Sequence, residues 1–379
     1  MMTYHMTDQE MGMLGRTMAI AAALVATGAA AQNYGLDRRD ASFREKLTVI
    51  EEAQAPVIGP DSDQLGDNKS GFETGMTLKI DGTYHLFISE MFGRPHLDLR
   101  IAHWTSPDAV NWTRRGTVVD SVPGRSHLNH RSEVWLQGVI FDEKSDRWNL
   151  FYIAYRGGNR EKGEALNLDY EGIAVRAVSQ TPGRKGIGGP YKDASVSMAP
   201  GGKDAALWEG QQGLDSFFPY KIGNNKWAAL HGSHNHFPVS PWYVGVATGD
   251  SLTSTRWTRV PSEQPSPIES LFIENPIVEK LPNGRYMALY DSNHFTPVQP
   301  DLPARPNNSV SYSVSADGIR WHQGRSLIVQ SDANNWASDI RTPLGLVAEG
   351  NGIYTILYTG RMKDKPFWAI GKVKVKLSE

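Results

Sequence analysis

Four acidic residues recur at matching distances before an aromatic residue that opens an apolar segment. The distance is eleven or twelve residues in three cases and fifteen in the fourth, for the pairs Glu73 and Tyr84, Asp215 and Trp227, Glu274 and Tyr286, and Glu133 and Trp148. Exposed acids at strand ends need no common register, so matched positions indicate a shared role. Carboxylic acids that share one site can take unlike protonation states, which is a basis for general acid and base catalysis.

Several carboxylates in one funnel would repel each other. Some pKa values must then be raised, while other carboxylates are held ionised by a basic partner, for which Arg131 and Arg341 are candidates. Cleavage of a glycosidic bond needs such a division: one acid protonates the leaving oxygen, and the other carboxylate activates water or attacks the sugar. The candidate catalytic residues are Glu73, Glu133, Asp215 and Glu274. The competing interpretation is that each acid faces solvent at a strand end.

Aromatic and polar side chains near these acids are candidates for binding a sugar. They are the aromatic residues Trp135, Phe217 and Trp242, the polar residues His234, His236 and Asn275, and the basic residues Arg131 and Arg341. Core packing is the alternative role for any single ring. Two histidines separated by one residue are weak evidence for a metal site, and we interpret them as polar contacts. With no EF-hand-like run, we predict no metal or cofactor, and a channel cation such as calcium is the alternative.

The acids belong to a unit that recurs about every sixty residues. In residues 272–329 it reads as strand, turn, apolar strand, alternating strand, a turn that closes on Trp321, and a last strand. The same order recurs in residues 72–119, 132–198, 215–260 and 339–377. Each unit predicts one four-stranded antiparallel sheet, which cannot bury both of its faces alone. Stacking five sheets around an axis buries them, so we predict an all-β, five-bladed β-propeller rather than an irregular β-sandwich.

This architecture explains why acids distant in sequence can meet. The first strand of each propeller blade is innermost, and all five begin on the same side of the central channel. The matched acids therefore converge, together with the basic residue Arg341 from the fifth unit. We also expect residues 47–57 to pair with the alternating strand 371–377, which would close the ring and remove exposed edges.

The N-terminal residues have the pattern of an export signal. Arg16 precedes an apolar run from Met18 to Ala31 that is too short to span a bilayer comfortably and ends in small residues. We predict a signal peptide at 1–31, an arm and closing strand at 32–70, and the propeller at 71–379. The mature protein would be periplasmic or secreted, with no membrane association after cleavage of the signal.

Composition excludes several classes of protein. The chain has no cysteine, so it forms no disulfide and no thiolate zinc site. Its formal net charge of -2 provides no basic field for nucleic acid. The predicted partner is an oligosaccharide, and the sequence makes no prediction of the oligomeric state.

The sequence resembles the five-bladed propeller glycoside hydrolases of families 43, 32, 68 and 117. The resemblance covers almost the whole mature chain and lies in the strand-opening acids, in the segments 81–86 (Asp-Gly-Thr-Tyr-His-Leu) and 283–288 (Asn-Gly-Arg-Tyr-Met-Ala), and in the turn 315–321 (Ser-Ala-Asp-Gly-Ile-Arg-Trp). It implies that Glu73 is the base or nucleophile, that Asp215 tunes a pKa and orients the sugar, and that Glu274 is the general acid.

The placing of acids on the first, third and fourth units is most similar to family 117, the exo-acting anhydrogalactosidases of agar degradation. Three departures stand out. Glu73 replaces an aspartate, Leu136 and Gln137 stand about where family 32 has Arg-Asp-Pro, with Glu133 close by, and the Trp-Met-Asn-Asp-Pro start of family 32 is absent.

The leading interpretation is a secreted, exo-acting glycoside hydrolase of plant or algal oligosaccharides. A non-catalytic sugar-binding propeller is the main alternative, and the distance between the acids separates the two, because hydrolysis needs carboxylates about 5–10 Å apart. A sialidase shares the aspartate-glycine turns but usually has six blades, and we count five units.

Overall fold

The computed structural model describes residues 43–379 apart from 93–97, 123–130, 159, 165–168, 202–204, 206–208, 234–242, 261–272, 297–304, 323, 330–335 and 363. The predicted signal peptide lies outside the described residues. Between residue 43 and the C-terminal end, these gaps excepted, no helix has the length and hydropathy of a transmembrane segment.

The structure is a five-bladed β-propeller, as the recurring unit predicts. Blade 1 contains β2 (Phe72–Ile80), β3 (Thr83–Met91), β4 (Leu99–Ser106) and β5 (Thr113–Asp120). Blade 2 contains β6 (Glu133–Asp142), β7 (Arg147–Tyr155), β8 (Ile173–Ser179) and β9 (Tyr191–Met198). Blade 3 contains β10 (Ser216–Gly223), β11 (Lys226–Ser233), β12 (Tyr243–Gly249) and β13 (Thr258–Arg259). Blade 4 contains β14 (Ile273–Lys280), β15 (Tyr286–Thr296), β16 (Arg305–Ser315) and β17 (Arg325–Val329).

Blade 5 differs from the others because its inner strand is broken. It contains β18 (Asp339–Pro343), β19 (Val347–Gly350), β20 (Ile353–Arg361) and β21 (Ala369–Ser378), and both β18 and β19 pair with β20. The sequence predicts one continuous strand there. Pro343 has no N–H for the ladder, and Gly345 has φ 141°, with Thr77 so close that a Cβ would contact it at 3.0 Å.

The predicted closure of the ring is confirmed. β1 (Lys46–Glu52) pairs antiparallel with β21, and Leu47 lies opposite Leu377. The strand ends earlier than predicted, but Val57 still donates its N–H to the Ile370 carbonyl at 2.8 Å. The N-terminal strand therefore completes the outer edge of the last blade and joins the two ends of the propeller domain.

The residue types in the turns allow consecutive strands of a blade to pair as hairpins. In blade 1, Asp81 and Gly82 connect β2 to β3 with φ 48° and 81°, the positive values that a tight two-residue hairpin turn needs. Glycine adopts such a φ without strain, and aspartate tolerates it better than most residues do. The short turn brings the apolar faces of β2 and β3 to the same neighbouring blade.

Large apolar side chains pack between the blades and hold them in place. The rings of Phe151 in blade 2 and Phe217 in blade 3 lie 5.9 Å apart, and Phe217 meets Trp257 edge-on at 5.2 Å. All three belong to one buried cluster. Burial of each such ring contributes roughly 2–3 kcal/mol, which fixes the angle between blades and so the position of the inner strands.

Hydrogen bonds also join the inner strands of four blades to the blade before each of them. They run from Leu136 N–H to Ser89 Oγ at 2.9 Å, from Phe217 N–H to Gln137 Oε1 at 3.1 Å, from Asn275 N–H to Ser216 Oγ at 3.1 Å, and from Thr77 N–H to the Leu344 carbonyl at 2.6 Å. These bonds fix the starts of the inner strands relative to each other.

Candidate active site

Three inner strands carry a β-bulge beside one of the candidate site residues. The pairing register shifts between Phe72 and Gly75, between Glu274 and Ile277, and between Arg341 and Pro343. A bulge turns a side chain away from its regular face, and bulges are frequent next to active sites. Here the bulges of blades 1, 4 and 5 direct Glu73, Glu274 and Arg341 towards one another.

Arg341 joins the two acids directly. Its Nη2 lies 3.0 Å from Glu73 Oε1 and 2.9 Å from Glu274 Oε2. Since both oxygens lie about 3 Å from the same nitrogen, they are no more than about 6 Å apart. This upper limit is compatible with the separation of about 5–5.5 Å between the two carboxyl groups of retaining glycosidases. The two side chains are only 7% and 14% exposed.

The protonation of Glu274 suits a proton donor. Burial raises its pKa to about 7, and the negative charges of Glu73 and Asp169 add to that rise, whereas Arg341 opposes it. Near neutral pH, a substantial fraction of Glu274 therefore keeps its proton. Glu73 lies against the guanidinium of Arg341, which compensates a negative charge there. One acid can give a proton while the other acts as an anion.

Asp215 is placed by the hairpin of blade 3. Its N–H donates to the Gly232 carbonyl at 3.1 Å, and its side chain lies over Gly232, where a Cβ would come within 2.0 Å of Asp215 Oδ1. Only glycine leaves room for the carboxyl group at this position. Burial, and then the charge of Glu274, raise the pKa of Asp215 well above its usual range.

Tyr155 lies at the meeting point of four acids. Burial raises its pKa far above the ordinary value, and four negative charges raise it further, those of Asp169, Asp215, Glu274 and Glu133. Glu133 is its cross-strand neighbour at the start of β6. The structure thus brings the four predicted catalytic acids to one end of the inner strands.

The structure adds residues that the sequence analysis missed. Asp291 on β15 lies directly opposite Glu274. Asp169 reaches the cluster from the segment between β7 and β8, and Gln137 donates from Nε2 to the Asp215 carbonyl at 3.3 Å while its Oε1 binds Phe217 N–H. None of them left a usable signal: the regular hairpin register from the turn at 282–284 would place Asp291 opposite Asn275, and the bulge after Glu274 shifts it opposite Glu274.

The structure places two of the predicted substrate-binding residues at contacts between blades. Arg131 binds Asp193 on β9 and the Asp120 carbonyl on β5, the outermost strands of their blades. Phe217 is fully buried between Phe151 and Trp257, so neither face of its ring is open to a sugar. Both side chains stabilise the contacts between blades.

The other binding candidates have mixed positions. Trp135 is 5% exposed and packs in the same cluster as Phe217, which is the core-packing alternative. Asn275 follows Glu274 and donates from Nδ2 to Asp291 at 3.0 Å. The predicted sites His234, His236 and Trp242 lie outside the described residues. In the part of the chain that the structure describes, no three histidine or acidic residues are arranged to hold a metal ion.

Comparison with solved structures places this geometry on a known scaffold. A protein solved as a complex with RGII matches with a TM-score of 0.63 and 13% identity, over 88% of this protein and 92% of the other. A family 117 glycoside hydrolase from the marine bacterium Zobellia galactanivorans matches at 0.56 and 12%, over 88% and 90%. A thermostable family-43 glycoside hydrolase matches at 0.53 and 16%, over 84% and 91%.

No model of a protein family and no curated protein sequence matches this chain. The similarity is therefore one of fold: the chain has the five-bladed β-propeller that is also found in structures described as glycoside hydrolases of families 43 and 117.

Proposed function

We propose that this protein is a glycoside hydrolase in which Glu274 is the general acid and Glu73 is the base or nucleophile. The observation that carries the proposal is the Arg341 bridge, which holds two carboxyl groups of unlike environment within about 6 Å of each other. Glu274 would protonate the oxygen that leaves, and Glu73 would attack the sugar or activate water on the other side of the bond.

The remaining acids would set the charge of the site. The raised pKa of Asp215 favours its protonated form, which adds no second negative charge close to Glu274 and can hydrogen-bond a sugar hydroxyl or orient the ring. The charges of Glu133 and Asp169 raise the pKa of Tyr155 together with those of Asp215 and Glu274. Arg341 compensates the negative charge that remains on Glu73.

Exo action on a plant or algal oligosaccharide is part of the same proposal. The inner strands of all five blades contact their neighbours around the axis, and β6 also contacts β14 across it. Such a narrow centre favours a terminal sugar over a continuous chain. The matches to a complex with RGII and to a family 117 enzyme support a plant or algal polysaccharide as the source. The apolar N-terminal run supports a periplasmic or secreted location.

The decisive experiment is hydrolysis of a panel of aryl glycosides and plant and algal oligosaccharides by the parent, Glu274→Gln and Glu73→Gln. We expect each variant to lower kcat/KM by about 10³-fold on any substrate that the parent cleaves. In the parent, kcat/KM should fall as the pH rises above about 7, because Glu274 then loses its proton.

Glu279→Gln is the matched control for the loss of a buried acid. Glu279 lies on β14 like Glu274, and burial raises its pKa to about 7 as well, but it pairs across the hairpin with Met287. Its variant should keep the activity and the pH profile of the parent. Full activity in both Glu274→Gln and Glu73→Gln would refute the assignment. A parent that binds oligosaccharides without cleaving any would instead be a sugar-binding propeller.

A further inference from the structure

Asp291 is the buried acid next to the proposed general acid that the mechanism leaves without a role. It lies on β15 directly opposite Glu274 and is 1% exposed. A carboxyl group at this depth costs free energy unless hydrogen bonds compensate it, so its contacts should reveal what it does.

Its two hydrogen bonds reach blades 4 and 5, which carry Glu274 and its partner Arg341. Asp291 Oδ2 accepts from Asn275 Nδ2 at 3.0 Å and from Thr342 Oγ1 at 3.0 Å. Asn275 directly follows Glu274, and Thr342 directly follows Arg341. One oxygen atom therefore connects the residue after the proposed acid to the residue after its arginine partner.

Both of these donors have unusual backbone conformations. Asn275 has φ 52° and Thr342 has φ 27°, in a region that residues other than glycine rarely adopt and that a β-branched residue such as threonine adopts least readily. They occupy the bulges that turn Glu274 and Arg341 towards each other. Strained residues of this kind persist only where the surrounding contacts hold them, and Asp291 supplies those contacts.

We propose that Asp291 is a positioning residue, which holds the bulges of blades 4 and 5 so that Glu274 stays in contact with Arg341. The role in catalysis rests on the proposed function, whereas the role in positioning is a property of the fold. Asp291 itself need not touch the substrate.

The protonation of Asp291 fits this role. Burial raises its pKa to about 8, with the charges of Glu274 and Glu73 acting in the same direction and Arg341 opposing them. The group is then mainly neutral at pH 7. A neutral acid keeps both donors in place without adding a second negative charge beside Glu274.

This chemistry makes asparagine a close substitute and leucine a poor one. Asp291→Asn keeps a carbonyl oxygen for both donors, and Asp291→Leu keeps the volume but removes the acceptor. We expect kcat of Asp291→Asn to stay within about fivefold of the parent. In Asp291→Leu, kcat should fall by about 100-fold with KM little changed, because the reacting groups are misplaced while the sugar contacts remain.

A second pair of variants tests the same hydrogen bond without changing Asp291. Thr342→Val keeps the shape but loses the hydroxyl donor, and Thr342→Ser keeps the donor. We expect about a tenfold loss of kcat in Thr342→Val and recovery in Thr342→Ser. This pair decides the matter if Asp291→Leu does not fold. Ser309→Ala, which removes a buried hydroxyl that binds Ser292 in the same blade, should leave kcat unchanged.

Crystal structures of the same variants separate this inference from the proposed function. The contact between Glu274 and Arg341 should persist in Asp291→Asn and Thr342→Ser and be lost or lengthened in Asp291→Leu and Thr342→Val. An unchanged contact in the latter two, or equal losses of kcat in Asp291→Asn and Asp291→Leu, would overturn the positioning role. If the parent cleaves no glycoside, the proposed function fails, and the contact in these structures still tests the positioning role.

Discussion

Two glutamates on the same strand have similarly raised pKa values but differ in the charged groups around them. Glu274 and Glu279 both lie on β14, and burial raises the pKa of each to about 7. For Glu279, burial is the single cause. Glu274 is also affected by Arg341, Glu73 and Asp169, three residues from three other parts of the chain. An altered pKa thus marks both ends of the strand, but charged groups converge at only one of them.

The difference arises from the fold rather than from the residue type. Glu274 lies at the start of an inner strand, where the five blades approach each other, and a bulge turns it towards Arg341. Glu279 lies near the far end of that strand, after the ladder has become regular again, opposite Met287. Burial alone keeps a carboxyl group protonated. A reaction also needs a second group, held at a fixed distance, that takes the opposite charge.

Of the substitutions that test the difference between Glu274 and Glu279, one at Arg341 should have the largest effect. In Arg341→Gln, Glu274 would become a buried acid without its cationic partner, much like Glu279, and Glu73 would lose its compensating charge. We expect kcat/KM to fall by about 10³-fold and the free energy of unfolding to fall by about 3 kcal/mol. Initial rates and denaturant unfolding measure the two effects.

Arg361→Gln is the matched control for that variant. Arg361 is on the same blade and forms an ion pair with Asp339 at 2.9 Å, with 31% of its side chain exposed. Loss of a pair so close to solvent should cost less than about 1 kcal/mol and leave kcat/KM unchanged. Equal losses of stability and activity in the two variants would show that the Arg341 bridge has no special role.

Sequence reasoning predicted the elements better than the directions of side chains. The order of strand, turn and tryptophan predicted the blades, and the alternating strand at 371–377 predicted the closure of the ring; the structure confirms both. The acids were found because they begin inner strands. Arg131 and Phe217 also lie near strand starts, but their side chains point between blades.

The reason is that one bulge reverses the face on which the following residues lie, and no residue type announces a bulge. Asp291 was missed for a related reason. In the sequence it follows the apolar residues of β15 and resembles an ordinary acid at the end of a strand. Only the bulged register of the structure places it opposite Glu274. Asp169 lies in a connection whose path the local sequence does not determine.

A substitution at Gly232, with a smaller expected effect, tests whether the position of Asp215 near Glu274 matters for activity. In Gly232→Ala, the new Cβ would lie 2.0 Å from Asp215 Oδ1, so the carboxyl group must move away from its place near Glu274. We expect kcat/KM to fall by about 100-fold, with a loss of about 1–2 kcal/mol of stability from the crowding. Gly223→Ala, in the same hairpin, meets its nearest neighbour at 3.7 Å and should change neither quantity. Unchanged activity in Gly232→Ala would mean that the position of Asp215 is unimportant.

The smallest expected effect is on the pH dependence of the free energy of unfolding. Both Glu274 and Glu279, at the two ends of β14, should contribute to it. When the pKa of an acid rises from about 4.5 in the unfolded state to about 7 in the folded state, folding takes up a proton at any pH between these values. The acid therefore lowers the stability progressively as the pH rises through that window.

Glu279→Gln removes this dependence. Its melting temperature relative to the parent should therefore rise from pH 5 to pH 8, by about 1–2 °C for a domain of this size if the gain is near 1 kcal/mol. Activity should not follow, since no reacting group touches Glu279. A melting difference that stays constant over this range would show that Glu279 is ionised in the folded protein, and the two acids would then differ in protonation as well as in their neighbours.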